Sequence, residues 1–168
     1  ITVSTMDRLL LPHLLPEVDR AIYLDIDTLV LDDITELGRL DLQGHPIAAR
    51  DSNVPEWLEW RAAVRRLPGR QANDVLLSVI RRNGFGQPAI NAGVLVLDLA
   101  RMRADDFTRT YLGWVEKYGF HDQDVMLAYA GSDRVQLPAR WNSLPVLEDV
   151  DDPAIIHWAA LPKPWEPE

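Results

Sequence analysis

The densest apolar run of the chain is Ala89–Leu99 (AINAGVLVLDL), rich in Val, Ile and Leu, and it is the strongest strand signal. Arg20–Leu24 (RAIYL) is a shorter apolar run bounded by charge and predicts a buried strand. Thr28–Leu31 resumes the apolar pattern after two aspartates. Pro46–Arg50, Arg134–Leu137 and Ala154–His157 predict further short strands. Helical periodicity appears in Thr5–Leu15, where Leu9, Leu10, Leu14 and Leu15 form a broad face with Pro12 at a kink or an end. Asp33–Leu37 predicts one helical turn. In Pro55–Arg66, Trp57, Trp60 and Val64 recur at helical spacing, and Pro68-Gly69 breaks the pattern. Asn73–Arg82 predicts another helix, ended by Asn83-Gly84. Arg101–Tyr118 predicts a single long helix with the stripe Phe107, Tyr111, Trp114, Val115 and Tyr118, stopped by Gly119. Asp122–Tyr129 predicts the last helix, and the proline-rich tail Pro162–Glu168 is irregular.

Strands alternating with helices imply α/β layers. The 168 residues, 47% of them hydrophobic, suit one domain with one packed core. With no cysteine, disulfides, thiolate metal sites and cysteine nucleophiles are excluded. No apolar run approaches the ~20 residues that span a bilayer. A net charge of −9 argues against nucleic acid and anionic membrane surfaces as partners. An anionic substrate would have to be countered locally, by a metal ion or a few placed cations. The chain begins at Ile1 without a signal-peptide pattern, and the expectation is a piece excised from a longer chain.

Candidate chemistry begins at Asp25-Ile26-Asp27, two acids directly after an apolar strand. On a strand, residues i and i+2 face one side roughly 6.5–7 Å apart. Carboxylates that close repel unless a cation lies between them, and hard divalent ions prefer such oxygens. Open α/β sheets also bind ligands at the carboxyl ends of strands. The alternative is that one acid caps a turn and the other faces water. His157 ends the apolar strand AIIH and reads either as a satisfied core histidine or as a third ligand. An O,O,N set would suit manganese better than calcium. Lys163, one of two lysines, is either a solvated tail residue or a point charge for phosphate. Asn91-Ala92-Gly93 interrupts the best strand and marks a bulge or a close approach. Asp122-Gln123-Asp124 opens a helix as caps or as the lining of a pocket.

Six segments in order resemble glycosyltransferase family 8, the retaining nucleotide-sugar transferases. They are RLLLPHLLP (Arg8–Pro16), YLDIDTLV (Tyr23–Val30), NAGVLVLDL (Asn91–Leu99), HDQDVMLAY (His121–Tyr129), LPARWN (Leu137–Asn142) and IIHWAALPKPW (Ile155–Trp165). The resemblance implies a Rossmann-like GT-A fold, a mixed sheet flanked by helices, in one domain over 1–168. It implies Asp25, Asp27 and His157 as ligands of Mn2+, with Mg2+ as the substitute. Lys163, Ile26 and Ala160 would face the donor diphosphate. Arg8, Asp51, Asn91 and Ala92 would line the donor-sugar and acceptor sites, with Asp122 and Gln123 at the reacting carbon. The implied partners are a nucleotide-sugar donor, with uridine as the base, and a saccharide acceptor. The implied location is the bacterial cytoplasm, free or peripheral to a membrane.

Two departures accompany the resemblance. The family's glycine three residues after the histidine is Ala160 here, which narrows the approach to a phosphate. The family's nucleotide-binding βαβ segment precedes the helix carrying Arg8, whereas this chain starts just before that helix. The implied reaction is transfer of a hexosyl group with retention. Gln123 is a poor nucleophile, which favours front-face attack over a double displacement. One rival reading is a haloacid-dehalogenase-type phosphatase with Asp151-Asp152 as its later acids, but Gly is missing between Asp27 and Thr28. The other is a transferase-like domain that binds or scaffolds without catalysis.

Overall fold

The computed structural model describes residues 6–55, 59–60, 62, 64–65, 67–75, 88–159 and 163–166. Its strands are β1 (Arg20–Leu24), β2 (Thr28–Val30), β3 (Ile47–Pro55), β4 (Pro88–Asp98), β5 (Val135–Gln136) and β6 (Ile155–His157). The helices are α1 (Leu11–Leu14), α2 (Thr35–Arg39), α3 (Leu99–Ala104), α4 (Phe107–Tyr118) and α5 (Asp122–Ala130), with 3-10 turns at Asp7–Leu10 and Ala139–Asn142. The central sheet has the order β1-β4-β3-β5, antiparallel except for the parallel pair β3/β5. A second, two-stranded sheet pairs β2 with β6. The expected α/β class with a mixed sheet is what the chain adopts.

Both faces of the sheet are buried at β4 and at the start of β3, which is why β4 reads as a continuous apolar run, whereas β1, expected to be buried, is an edge strand and only half-buried. Successive side chains point to opposite faces. Leu95 and Leu97 of β4, with Ile47 and Ala49 of β3, pack against Phe107, Tyr111, Val125 and Tyr129 of α4 and α5. Val94, Val96 and Ala48 face Leu37, Leu137, Trp141 and Ile155 on the other side.

The helix expected over Arg101–Tyr118 is two helices. Asp106 adopts a left-handed conformation (φ 53°) and ends the first, while the aromatic stripe lies wholly on α4. Aspartate is among the few L-residues that enter this region readily. The expected Thr5–Leu15 helix is a 3-10 turn followed by α1, with Pro12 in the first turn of the α-helical part. Asp33 lies outside α2 and accepts a hydrogen bond from the Thr35 N–H at 2.9 Å, so the turn begins later than expected. β3 extends past Arg50 to Pro55. Of the helices expected at Pro55–Arg66 and Asn73–Arg82, residues 59–60, 62, 64 and 69–75 are helical, and the remainder lies largely outside the described residues.

The β3/β4 register jumps from Ala49↔Leu95 to Arg50↔Asn91, so β4 bulges over residues 92–94 on its β3 side. On its β1 side β4 stays paired, and the Asp25 N–H extends that ladder to the Gly93 carbonyl at 2.8 Å. The bulge lies beside the turn that joins β1 to β2. The β2/β6 register sets Thr28 opposite His157, and the Trp158 N–H donates to the Asp27 carbonyl at 3.0 Å. Two sheets therefore bring their chain reversals together at one place.

Candidate functional site

Asp25 and Asp27 flank the tip of the β1–β2 turn rather than sharing one strand. Their convergence comes from the turn, which the Thr28 hydroxyl braces by donating to the Asp25 carbonyl at 2.8 Å. His157, 3% exposed, directs Nε2 to within 3.8 Å of Asp25 Oδ2 and 3.4 Å of Asp27 Oδ1. One donor atom from each of the three residues falls within 4.8 Å of the others. Two ligands at right angles around an ion with ~2.1 Å bonds lie about 3 Å apart, so this O,O,N set closes on a divalent cation with small adjustment. The chemistry of the set, two carboxylates and one imidazole, fits manganese or magnesium with imidazole favouring the former.

Two cations hold the outer sides of the acids. Lys163 Nζ donates to Asp27 Oδ2 at 2.6 Å and to the Trp158 carbonyl. Arg8 Nη2 donates to Asp25 Oδ1 at 2.6 Å. Arg8 Nη1 donates to the Ala92 carbonyl at 2.7 Å and pairs with Asp122 at 3.0 Å. The guanidinium lies 4.2 Å from the centre of the Tyr23 ring, whose hydroxyl donates to Asp25 Oδ1 at 2.9 Å. Arg8 is 4% exposed, and its Nε has no partner. It is a cross-brace tying β1, β4 and the start of α5 together. Burial in this cluster raises the Tyr23 pKa to about 12, opposed by Arg8 and reinforced by Asp25. Burial pushes Asp27 up, but the Lys163 hydrogen bond and the neighbouring His157 and Lys163 hold it below its ordinary value. Burial lowers the His157 pKa against the pull of the two acids, which favours the neutral ring a metal ligand requires.

A cleft of about 630 Å³ opens over this cluster. Of the residues expected from sequence, Arg8, Asp25, Ile26, Asp27, Asn91, Ala92, Asp122, Gln123, His157 and Lys163 all line it. Ile26 is 99% exposed at the tip of the turn. The two readings of Asp122-Gln123-Asp124 divide between the acids. Asp124 accepts from the His121 N–H at 2.9 Å as a helix cap, and Asp122 pairs with Arg8 in the cleft.

Asp51 is not brought to this cleft. Its carboxylate pairs with Arg134 at 2.5 Å and lines a separate depression with Arg50 and Gln136. Ala160 lies outside the described residues. The sequence marked Gly93 as a bulge or a close approach and gave Asn142 no role. A Cβ at Gly93 would overlap the His157 ring, so the glycine of Asn91-Ala92-Gly93 makes room for a side chain of this protein. Asn142 is fully buried and meets His157 Nδ1 at 2.9 Å. Its signal was its presence in the LPARWN segment. Tyr23 and Trp165, which also line the cleft, carried no polar motif of their own.

Comparisons with known proteins bear on the fold and the family. A solved galactosyltransferase, LgtC in complex with donor and acceptor sugar analogues, matches 99% of this chain with a TM-score of 0.71 at 25% identity. The bifunctional glycosyltransferase WbbM shares the fold over 98% of the chain with a TM-score of 0.73 at 23% identity. General stress protein A of Bacillus subtilis is 24% identical over 190 residues, covering 98% of this chain. Probable galacturonosyltransferase-like 10 of Arabidopsis thaliana is 28% identical over 165 residues, covering 88% of this chain. The chain spans 60% and 44% of the lengths of these two relatives, and 62% of LgtC. The architecture is thus that of GT-A glycosyltransferases. The family described as Glycosyl transferase family 8 matches residues 1–168 throughout, and this chain belongs to it.

Proposed function

We propose that this chain forms the metal- and sugar-binding part of a retaining glycosyltransferase. The reaction moves a hexosyl group from a nucleotide-diphosphate sugar, with uridine as the base, to a hydroxyl acceptor, most readily a saccharide. The observation that carries this reading is the meeting of Asp25, Asp27 and His157 beside Lys163 in one cleft. A galactosyltransferase among the structural relatives and a galacturonosyltransferase-like protein among the sequence relatives support a hexose as the transferred group.

Cleavage of a glycosyl diphosphate develops negative charge on the leaving phosphate. Mn2+ held by Asp25, Asp27 and His157 would supply Lewis-acid neutralisation of that charge. Lys163 adds a fixed positive charge from the side of Asp27, so an acidic protein needs no broad basic surface. Gln123 lines the same cleft without a charge and stabilises the cationic sugar by its amide oxygen. The departing phosphate oxygen takes the acceptor's proton, which gives front-face attack with retention. Arg8 keeps Asp25 and Asp122 at fixed separation.

The test uses the full-length parent protein with UDP-hexoses and Mn2+, monitoring UDP release and the anomeric configuration of the product. Lys163→Met lowers kcat on the order of 10²-fold, the scale of losing one electrostatic stabiliser. A parent protein that binds neither Mn2+ nor a nucleotide sugar overturns the reading and makes the domain a scaffold. A glycosyl adduct trapped on Asp122 or Asp124 overturns front-face attack.

A further inference from the structure

Behind His157 runs a partly buried hydrogen-bond chain whose polarity is set by its far end. The Gly93 backbone N–H can only donate, and it meets the Asn91 side chain at 3.0 Å. The Asn91 atom there must be its oxygen. Asn142 approaches that same oxygen at 3.0 Å, so it must present its amide nitrogen. Its Oδ1 is then the atom 2.9 Å from His157 Nδ1. An amide oxygen only accepts, and Nδ1 therefore carries a proton. In the neutral ring Nε2 is left with its lone pair, facing Asp25 Oδ2 and Asp27 Oδ1. Three acceptors facing one point with no donor among them suit a cation.

We infer that Asn142, with Asn91 behind it, is a positioning residue that fixes His157 as the Nδ1–H tautomer and aims its Nε2 lone pair at the two carboxylates. Asn142 is well anchored for this. It is completely buried at the end of the 3-10 turn Ala139–Asn142. Its carbonyl accepts from Arg50 Nη1 at 2.6 Å, and Arg50 is clamped by both oxygens of Glu148. The His157 N–H donates to the Ser143 carbonyl at 2.8 Å, which sets the backbone of the ring beside the backbone of the amide. Gly93 leaves the ring its space. One consequence concerns Asn91: its oxygen already accepts two hydrogen bonds, so only its NH2 group can face a ligand in the cleft. The inference rests on the proposed metal-dependent reading only for what the lone pair binds.

Two measurements on the isotope-labelled protein test it. In the metal-free state near pH 8, long-range proton–nitrogen NMR correlations should show His157 with the proton on Nδ1. A proton on Nε2 overturns the inference whatever any variant does. Mn2+ titration followed by electron paramagnetic resonance should show Asn142→Leu binding 10–100-fold more weakly than the parent, the loss typical of removing an outer-shell partner. Asn91→Asp, which still accepts from both Gly93 and Asn142, should keep the tautomer and bind at least as tightly. A folded Asn142→Leu protein that matches the parent in affinity overturns the positioning role. Should that variant fail to fold, the tautomer of the parent decides alone. A parent with the Nδ1 proton but no Mn2+ uptake supports the tautomer relay and sinks the transferase reading instead.

Discussion

At the scale of single residues, each acid of the cluster has different neighbours on its two oxygens. Asp27 has Lys163 on one oxygen and the His157 ring on the other. Asp25 has Arg8 and Tyr23 on one oxygen and the same ring beyond the second. His157 is the group whose titration this arrangement exposes to measurement. Because burial lowers its pKa, the folded chain binds fewer protons at this ring than the unfolded chain does below about pH 6.5. The stability it contributes is complete above that pH and is lost as pH falls through the folded-state value. Asp27, also lowered, contributes stability above about pH 3.9 that is lost only on further acidification. Metal-free urea denaturation at pH 7 and pH 5 isolates this histidine from the other three when the parent is compared with His157→Gln. The parent should lose more stability over this interval than His157→Gln. Equal losses would show that the ring is not held neutral by the fold. The acid pair, the histidine and the lysine were each legible as residues in the sequence. Asn142 was not, because a buried asparagine announces its role only through the atoms it meets.

At the scale of elements, the ends of the helices carry information that the apolar stripes do not. The stripe of α4 was readable because aromatic residues at helical spacing pack on one another, as in the Phe107–Tyr111 and Tyr111–Trp114 pairs at 5.1 and 5.4 Å. The break at Asp106 was hidden because charged residues are equally at home on an exposed helical face. Glycines at the end and in the middle of α4 should respond to substitution with opposite signs. Gly119 closes the helix at φ 67°, and its side-chain direction is open space. Gly119→Ala should cost about 1 kcal/mol through backbone conformation alone. Gly113 lies inside the same helix, also facing open space. Gly113→Ala should stabilise by about 0.5–1 kcal/mol. Urea unfolding of the two variants checks both signs, and two changes of the same sign would contradict this account of the helix. The bulge in β4 belongs to the same scale. Its sequence signal was Asn91-Ala92-Gly93, and the ring of His157 is seated against the glycine within it.

For the molecule as a whole, an acidic chain collects three ligand groups and two cations in one cleft while its net charge stays at −9. No helix among the described residues is long and apolar enough to cross a membrane. A cation bound by the folded chain alone stabilises it by mass action, by about 2.7 kcal/mol at a hundredfold excess over Kd, and so raises its melting temperature. Mn2+ should therefore shift the thermal transition of the parent upward. The shift should vanish in the Asp25→Asn, Asp27→Asn double variant, read by differential scanning fluorimetry. A shift that persists in the double variant would place the bound ion elsewhere.

The sequence by itself determined the strands, the α/β class, the family, and most of the residue types that line the cleft. These are properties of local pattern: periodicity, β-branched runs and short motifs survive without knowledge of what packs against them. Only the tertiary structure decided which residues meet. It paired Asp51 with Arg134 at a separate depression, split one expected helix in two, and set His157 opposite Thr28 through the pairing of strands 125 residues apart. That pairing, together with the polarity of a hydrogen-bond chain running back to a backbone N–H, depends on contacts between distant segments, and no local pattern encodes it.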